Sequence, residues 1–267
     1  MSQRRGMEEK TEQRVRRYEE KRLMKTKRSE DSEVIEEVFD KLTREAVYEL
    51  LKKGIIDEIY GAIKAGKEAR IYWGIDPKKK ELAIKIYYTV TADFRQGMLK
   101  YIQNDYRFKR VKTTPRGIIY TWAQKEFSNL KAAHEAGVKV PEPIEIKKNV
   151  LVMEFIGENG EPAPLLHDVR LDKPKVVYNQ LLEEIKLLYT KAVLVHGDLS
   201  EYNVMFWKEE PVLIDISQGV PTNHPLAEDL LLRDIGNLNR YFSSLGVKVV
   251  DVEKSYRRIT DGDKGLR

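Results

Sequence analysis

The chain has 267 residues, 41% hydrophobic and 34% charged, with a formal net charge of +5 at pH 7. This is enough for one large domain or two lobes with real cores, and it indicates a soluble globular protein. No window is apolar enough to span a bilayer and the first residues lack a secretory h-region, so we expect a cytoplasmic protein without a membrane partner. The absence of cysteine excludes disulfides, thiolate catalysis and Cys-ligated metals, which leaves metals that prefer oxygen ligands.

The basic residues are concentrated in two segments. Residues 1–28 contain eleven Lys and Arg against five acidic residues, and residues 91–120 contain seven against two. A solvated helix face or a loop is the ordinary explanation for such runs. The remainder of the chain is therefore slightly acidic.

Apolar periodicity and turn residues divide the chain into three parts: a charged N-terminal arm with a helical extension over 1–44, a β-rich N-lobe over 45–156 and a helical C-lobe over 157–267. The elements predicted in chain order are a helix from Val34 to Gly54, the strands ARIYWGI and ELAIKIYYTV, a helix from about Thr121 to Ala136, the segment VPEPIEI, the strand NVLVMEFI, the linker GENGEPAP, a helix through Val177 and Leu188, a hairpin of NVMFW and VLIDI, and a helix from about Pro225 to Phe242. Residues 91–120 show no clean period, which predicts a flexible loop inserted at about 90–120. The fold class is α+β.

The stretch LVHGDLSEYNVMFW places polar residues between two apolar runs. Asn203 follows Asp198 by five residues, and Asp215 lies in the next strand. If the two strands pair, Asn203 and Asp215 lie at the same open end of the hairpin, near Asp198. Mg²⁺ takes carboxylate and amide oxygens together with substrate phosphates, so we predict Asn203 and Asp215 as metal ligands. Asp198 then accepts a hydroxyl proton or orients the nucleophile.

Each of these residues alone is explained as well by a helix cap, an Asx-turn or a strand-end acid. Their joint spacing, H-x-D-L-x-x-x-x-N followed by two apolar residues and Asp, matches the catalytic loop of protein-kinase-type enzymes. Such an enzyme also needs a lysine on a strand, a glutamate on a following helix and a loop over the phosphates. The candidates are Lys85 in ELAIKIY, Glu126 or less well Glu135 on the helix, and Gly61, Gly66 and Lys67 in the loop.

The loop candidate GAIKAGKEARIYWG also begins like a Walker A element, G-x-x-x-x-G-K. Glu68 occupies the position of the metal-binding Ser or Thr, and a strand follows where a P-loop would open a helix. A glycine-containing β-turn over phosphates is therefore the better interpretation.

The segments AGKEARIY, AIKIY, LVMEFIG, PAPLL, HGDLSEYNV and LIDISQGV together resemble the RIO family of atypical serine/threonine protein kinases, of the Rio-one type, over roughly residues 45–245. The resemblance implies a two-lobed protein-kinase-like fold that uses ATP with Mg²⁺ or Mn²⁺. It implies serine autophosphorylation or ATP hydrolysis, and a role in maturation of the small ribosomal subunit with the pre-small-subunit particle and its rRNA as partners. We expect a monomer.

The resemblance also carries roles to individual positions: Asp198 as the catalytic aspartate, Asn203 and Asp215 as metal ligands, Lys85 as the ATP-contacting lysine, Met153 as the gatekeeper, and the backbones of Glu154 and Ile156 as adenine contacts. It implies in addition that Asp215 can carry a transient phosphoryl group, which makes Asp215 a catalytic residue as well. Family members have Ser or Thr where this chain has Ala65, which removes a hydroxyl contact to a phosphate.

Only about ten residues separate Asp215 from the helix near Pro225, and no A-P-E follows. The chain therefore lacks an activation segment and peptide-docking helices.

The 41 residues between Lys85 and Glu126 leave room for the insertion at 90–120. Its sequence mixes basic and aromatic residues, as a nucleic-acid contact does. Thr113 and Thr114 within it are candidate autophosphorylation sites.

Two other functions share these residues. A small-molecule phosphotransferase of the aminoglycoside or choline kinase type also has H-G-D-x-x-x-x-N, but Ser200, Glu201 and Tyr202 favour the RIO type. An ATP-dependent ribosome-assembly switch with little protein kinase activity would use the same site residues, and the sequence leaves it open.

Overall fold

The computed structural model describes residues 40–88, 92–108 and 112–261, without the side chains of 92–94. The helices are α1 (Lys41–Lys52), α2 (Ala92–Ile102), α3 (Pro115–Glu135), α4 (Pro174–Thr190), α5 (Ala227–Ser244) and α6 (Val252–Thr260). The strands are β1 (Glu58–Ala65), β2 (Ala69–Ile75), β3 (Glu81–Tyr87), β4 (Pro143–Lys147), β5 (Val150–Glu154), β6 (Gly157–Glu158), β7 (Glu161–Pro162), β8 (Leu194–Val195), β9 (Val204–Trp207), β10 (Glu210–Leu213) and β11 (Val220–Pro221). The predicted arm lies outside the described residues up to residue 39, so the helix predicted from Val34 is described only as α1.

Five antiparallel strands form the N-terminal sheet, in the order β1-β2-β3-β5-β4. Side chains alternate between the two faces of a strand. In the central strand β3, Ile84 and Ile86 therefore pack in the apolar cluster under α1, while Ala83 belongs to the main core that includes α3. Lys85 shares the face of Ala83. The charge in this apolar strand consequently points at a helix and not at solvent.

The flexible loop predicted at 90–120 is wrong for the described residues, because α2 and the start of α3 occupy much of it. Met98, Tyr101 and Ile102 of α2 are buried, at the i, i+3, i+4 spacing of a helix face. The rings of Tyr101 and Trp122 lie 6.0 Å apart between centroids, which joins α2 to α3. The helical spacing of these apolar residues is visible in the sequence, but it extends over only one turn.

Helix α3 begins six residues before the predicted Thr121. Thr114 is its N-cap, with Oγ1 accepting the N–H of Gly117 at 3.1 Å, and Pro115 occupies the first turn. A hydroxyl cap followed by proline is a helix-start signal. The N–H groups of the first helical turn have no acceptor within the helix, so proline, which has no N–H, loses no hydrogen bond there. The predicted boundary overlooked that signal.

The predicted hairpin of the C-terminal half is present as β9 and β10. Val204 pairs with Leu213, so the strands end together at one edge. Just beyond that edge the N–H of Ile214 donates to the carbonyl of Asn203 at 3.0 Å. Asn203 and Asp215 therefore leave the hairpin at the same end.

The predicted linker GENGEPAP is partly structured, since β6 and β7 form a small hairpin in it. Oε1 of Glu81 accepts both the indole N–H of Trp73 at 3.0 Å and the N–H of Gly160 at 2.7 Å. These bonds fix the connection against β2 and the first residue of β3. Within the described ranges, no helix is long and apolar enough to cross a membrane.

Val193, which precedes the opening strand of the polar stretch, has a left-handed backbone with φ of 57° and a side chain exposed to solvent. A β-branched residue is strained in this region, which asparagine tolerates. We expect Val193→Asn to raise the free energy of unfolding by about 1 kcal/mol. The same change at Val176, an exposed valine inside α4, is the control and should not stabilise the protein. Thermal unfolding of both variants measures this, and equal shifts would contradict the strain explanation.

Candidate active site

A cavity of about 580 Å³ lies between the sheet and the helical half. The predicted residues that line it are Gly66, Lys67, Lys85, Glu126, Met153, Glu154, Ile156, Asn203 and Asp215. Asp198 is not among the lining residues but lies beside the cavity, where its main-chain oxygen accepts a hydrogen bond from Asn203. The fold thus brings together residues that are up to 149 positions apart in the chain.

The ammonium of Lys85 is the centre of an ion-pair network. Its Nζ lies 2.9 Å from Oε1 of Glu126 and 2.9 Å from Oδ1 of Asp215. Burial alone would lower the pKa of Lys85, but the attraction of Asp215 and Glu126 outweighs it and raises the pKa. Lys85 is therefore a buried permanent cation. Glu135, the weaker candidate partner, lies on the surface beside Lys131.

The two acids of the network differ in environment. Glu126 is fully buried, its Oε2 has no hydrogen-bond partner among the described residues, and burial raises its pKa in spite of Lys85. Asp215 keeps 47% of its side chain exposed toward the cavity. Burial opposes its ionisation, but Lys85 and the hydroxyl of Ser217, 3.1 Å away, together lower the pKa of Asp215. Asp215 is the ionised carboxylate that a ligand can reach.

A third acid, Glu68, also lines the cavity and was not predicted as a site residue. Burial raises the pKa of its carboxyl, and the nearby Asp215 raises it further, while Lys85 opposes both. In the sequence, Glu68 indicates only that this loop is not a Walker A element. Its place in the turn between β1 and β2 puts a carboxylate where the loop covers the cavity.

Asn203 and Asp215 have the chemistry of a magnesium site. Nδ2 of Asn203 donates to the main-chain oxygen of Asp198 at 2.8 Å, which leaves the Oδ1 of Asn203 for a ligand. No group of three or more His, Cys, Asp or Glu that could hold a metal occurs in the described part of the chain. One carboxylate and one amide oxygen nevertheless fit Mg²⁺, because this ion keeps several waters and takes its remaining ligands from substrate phosphates.

The main chain on both sides of Asp198 is held by helix α5. The carboxylate of Asp234 accepts the N–H of Gly197 at 2.7 Å and that of Leu199 at 2.9 Å, and Arg233 donates to the carbonyl of Gly197. Burial raises the pKa of Asp234 to about 7, against the effect of these two donors. Sequence reasoning missed Asp234, although an acid on the buried face of a helix was a usable signal.

The backbone conformation at position 197 favours glycine. Its φ is +79°, and an added Cβ would lie 3.1 Å from the carbonyl oxygen of Gln218. A side chain here would push the segment after Asp215 away from the Asp198 loop.

The carboxylate of Asp198 faces two amide donors. Its Oδ2 accepts Nε2 of Gln218 at 3.0 Å and, less closely, Nδ2 of Asn203 at 3.4 Å. Burial raises the pKa of Asp198, and Arg233 partly opposes this. A carboxylate made more basic in this way suits the acceptance of a hydroxyl proton.

The connection after β5 offers main-chain groups to the cavity. The N–H of Glu154 donates to the carbonyl of Glu142 at 2.8 Å, and the carbonyl of Ile156 accepts the N–H of Ala163 at 2.9 Å. Among the turn and loop hydrogen bonds of the described residues, none uses the carbonyl of Glu154 or the N–H of Ile156, so these two groups are the candidates for an adenine, which both donates and accepts. Met153 pairs with Ala83 across the strands, and both side chains line the same wall.

A family model of the RIO domain matches residues 70–255. The chain belongs to the RIO family. The resemblance drawn from HGDLSEYNV and LIDISQGV is thereby confirmed.

The most informative relatives are named as RIO serine/threonine kinases. The chain is 38% identical to the RIO-type serine/threonine-protein kinase Rio1 of Haloferax volcanii, over 91% of this chain and 82% of that protein. Identity to the protein of the same name from Methanocaldococcus jannaschii is 41%, over 88% and 81%. Identity to human RIO1 is 37%, over 92% of this chain but 44% of that protein. The chain therefore spans most of these archaeal relatives and less than half of the human one.

A solved structure of a RIO kinase shares the fold. It is the Rio2 kinase of Chaetomium thermophilum, described as an ADP/Mg²⁺-phosphoaspartate complex, with a TM-score of 0.64 and 26% identity over 83% of this chain and 67% of that one. The α+β kinase-like fold predicted from the sequence is confirmed. Within that fold, this RIO protein passes from Asp215 to α5 through a short 3₁₀ turn and the two-residue strand β11, without room for an activation segment.

Lys85→Met removes the cation and leaves Glu126 buried without its partner. We expect the free energy of unfolding to fall by about 3 kcal/mol or more, because Glu126 loses its buried partner and must either stay an uncompensated charge or take up a proton. The double variant Lys85→Met/Glu126→Leu replaces the pair by apolar side chains and should recover most of that loss without recovering ATP use. Urea unfolding measures both. A double variant less stable than the single one would contradict the assignment of Glu126 as the partner.

His196 makes the folded protein sensitive to acid. It is buried, its Nε2 lies 3.1 Å from the carbonyl of Ile214, its Nδ1 has no partner among the described residues, and burial lowers its pKa to about 4. The unfolded chain, with an ordinary histidine pKa near 6.5, therefore binds more protons than the folded protein between about pH 4 and 6.5. Stability from this group is complete above that range and is lost as the pH falls through it.

We expect the stability advantage of the wild type over His196→Asn to shrink by about 3 kcal/mol between pH 7 and pH 4. His134→Asn, a change at an exposed histidine at the end of α3, is the control and should follow the wild type. Urea unfolding at a series of pH values measures the difference. Parallel profiles for wild type and His196→Asn would rule out His196 as the source.

Proposed function

We propose that this RIO protein binds ATP and magnesium in the cavity and transfers the γ-phosphoryl group to serine or threonine hydroxyls, including those of its own chain. The observation that carries the proposal is the Lys85 network, with Asp215 2.9 Å from the ammonium and Asp198 linked to the same end of the hairpin through Asn203. Kinase relatives at 37–41% identity support the reaction class.

ATP binding changes the partners of Lys85. Glu126 keeps one side of the ammonium, and the phosphate oxygens take the place that Asp215 occupies 2.9 Å away. Asp215 is thereby freed to hold Mg²⁺ together with Asn203. Mg²⁺ held by these two residues would neutralise charge that develops on the phosphates. The turn that contains Gly66, Lys67 and Glu68 covers the phosphate end, while main chain at Glu154 and Ile156 receives the base.

Asp198 binds the acceptor hydroxyl and accepts its proton. Its Oδ2 is occupied by the two amides, so Oδ1 is the oxygen that can accept the hydroxyl hydrogen bond. The proton passes to Asp198 as the oxygen attacks the γ-phosphorus in line with the departing ADP. Helix α5 holds the Asp198 loop through Asp234, which keeps this geometry fixed during the transfer.

A second reaction at the same site is ATP hydrolysis through Asp215. Its carboxylate is ionised and 47% exposed to the cavity, and the Rio2 structure from Chaetomium thermophilum is described as a phosphoaspartate complex. An oxygen of Asp215 would attack the γ-phosphorus, ADP would leave, and water would cleave the acyl phosphate. The products are ADP and inorganic phosphate, with Asp215 regenerated.

The proposed ribosomal partner is supported by the charge of one segment. The segment 91–120 is basic, but Arg107 pairs with Asp105 and Arg116 with Asp40, so part of its charge is used inside the protein. Lys100 and Lys112 are exposed and remain for RNA. We propose contact with the rRNA of the pre-small-subunit particle on this face. Thr113 is exposed as an acceptor nearby, whereas Thr114 caps α3.

Labelled ATP with Mg²⁺ tests the proposal. Wild type should become labelled, Asp198→Asn should lose label on Ser and Thr by at least a hundredfold, and Asp172→Asn, an exposed acid before α4, is the control. Hydroxylamine should release label from an acyl phosphate on Asp215 and leave phosphoserine intact. Undiminished Ser or Thr labelling in Asp198→Asn would overturn the role of Asp198. Rapid ATP turnover with no Ser or Thr label would favour the ATPase switch.

A further inference from the structure

Gln218 contacts Asp198, and in the reaction described so far it is only one of the two amides on Oδ2. It lies three residues after Asp215, in the 3₁₀ turn Ile216–Gln218. Its Nε2 donates to Oδ2 of Asp198 at 3.0 Å, which is closer than the 3.4 Å contact from Asn203. Gln218 is thus the nearer of the two amides on that carboxylate.

The segment that carries Gln218 is fastened to helix α3 by two buried side chains. Lys125 is 0% exposed, and its Nζ donates to the carbonyl of Ser217 at 3.3 Å and to that of Gly219. Asn129, also 0% exposed, donates to the carbonyls of Ile216 at 2.8 Å and Gly219 at 2.9 Å. Hydrogen bonds therefore hold the main chain on both sides of Gln218.

Gly219 permits this contact. A Cβ there would lie 3.0 Å from Nδ2 of Asn129, so a side chain would lift the segment off α3. Lys125 and Glu126 are neighbours on that helix, and Glu126 holds Lys85. One helix thus fixes the phosphate-binding lysine with one residue and the segment of Gln218 with the residue before it.

We propose that Gln218 is a positioning residue for Asp198, and that Lys125 and Asn129 act on Asp198 through Gln218. The terminal torsion of an aspartate is broad and prefers no single angle strongly. A side-chain donor whose main chain is held in place by another element selects one orientation of the carboxylate, with Oδ1 toward the acceptor hydroxyl. The inference rests on the proposed role of Asp198 in phosphoryl transfer.

The first test uses Gln218→Leu, which keeps the volume and removes the donor. We expect kcat for autophosphorylation to fall at least tenfold, while KM for ATP and the calorimetric affinity for ADP change less than twofold. Gln218→His places a ring N–H at a similar reach and should keep more activity than Gln218→Leu. Gln124→Leu, the same change at an exposed position on α3, is the control and should leave all these quantities unchanged.

A second test measures whether Lys125 works through Gln218. Lys125→Met removes the donor to Ser217 and Gly219 and keeps most of the volume. We expect it to lower kcat with little change in KM for ATP, and the double variant with Gln218→Leu to be no slower than Gln218→Leu alone. Independent, multiplicative losses would overturn the shared path. Melting temperatures of all variants separate misfolding from mispositioning.

The outcomes distinguish this inference from the proposed function. If Asp198→Asn abolishes Ser and Thr labelling but Gln218→Leu leaves kcat unchanged, the role of Gln218 is wrong and that of Asp198 stands. A higher kcat in Gln218→Leu would mean that Gln218 blocks Asp198, which also overturns the inference. If Asp198→Asn labels normally, the proposed function fails first.

Discussion

The buried ammonium of Lys85 is the interaction on which the site depends. A charge with 7% of its side chain exposed is costly to keep unless its partners approach it closely. Its partners come from α3 and from the segment after β10, at sequence separations of 41 and 130 residues. Lys85 therefore has both of its partners only when the sheet, helix α3 and the end of the β9–β10 hairpin are correctly placed relative to one another. The same contacts that permit the fold also place a cation and a carboxylate, 2.9 Å apart, on the wall of a cavity of about 580 Å³.

The active site is held by two helices that do different tasks. Helix α3 fixes the proposed phosphate side, with Glu126 on Lys85 and with Lys125 and Asn129 on the segment that follows Asp215. Helix α5 fixes the proposed acceptor side, with Asp234 on the main chain around Asp198. Every one of these contacts is made by a side chain that is at most 1% exposed. In most protein kinases an activation segment contributes to this alignment, whereas here buried side chains of the core do so.

The sequence was sufficient for the parts of the site that are local. The spacing of Asp198 and Asn203 and the pairing of β9 with β10 lie within about twenty residues, where periodicity and turn chemistry act directly. Lys85 and Glu126 could also be predicted from the sequence, because a charged residue in an apolar strand requires a partner of opposite charge. Gln218, Asp234 and Lys125 were missed for a common reason: each is an ordinary residue whose meaning lies in a contact 20 to 94 residues away. Asp234 alone of the three left a signal in the sequence, as an acid on the buried face of a helix, and that signal does not identify the partner.

In place of an activation segment, this chain has a short segment whose main chain is hydrogen-bonded to the core. Between Asp215 and Ala227 the main chain makes the turn at Ile216–Gln218 and the short pair of β11 with β8. Lys125 and Asn129 occupy the carbonyls that a mobile loop would leave to water. Opening this segment would remove the hydrogen-bond acceptors of Lys125, which is 0% exposed, and a buried polar group that loses its partners is costly. In the proposed mechanism, Asp215 exchanges its contact with Lys85 for one with the metal when a nucleotide binds, while Lys125 and Asn129 keep the segment after Asp215 against α3.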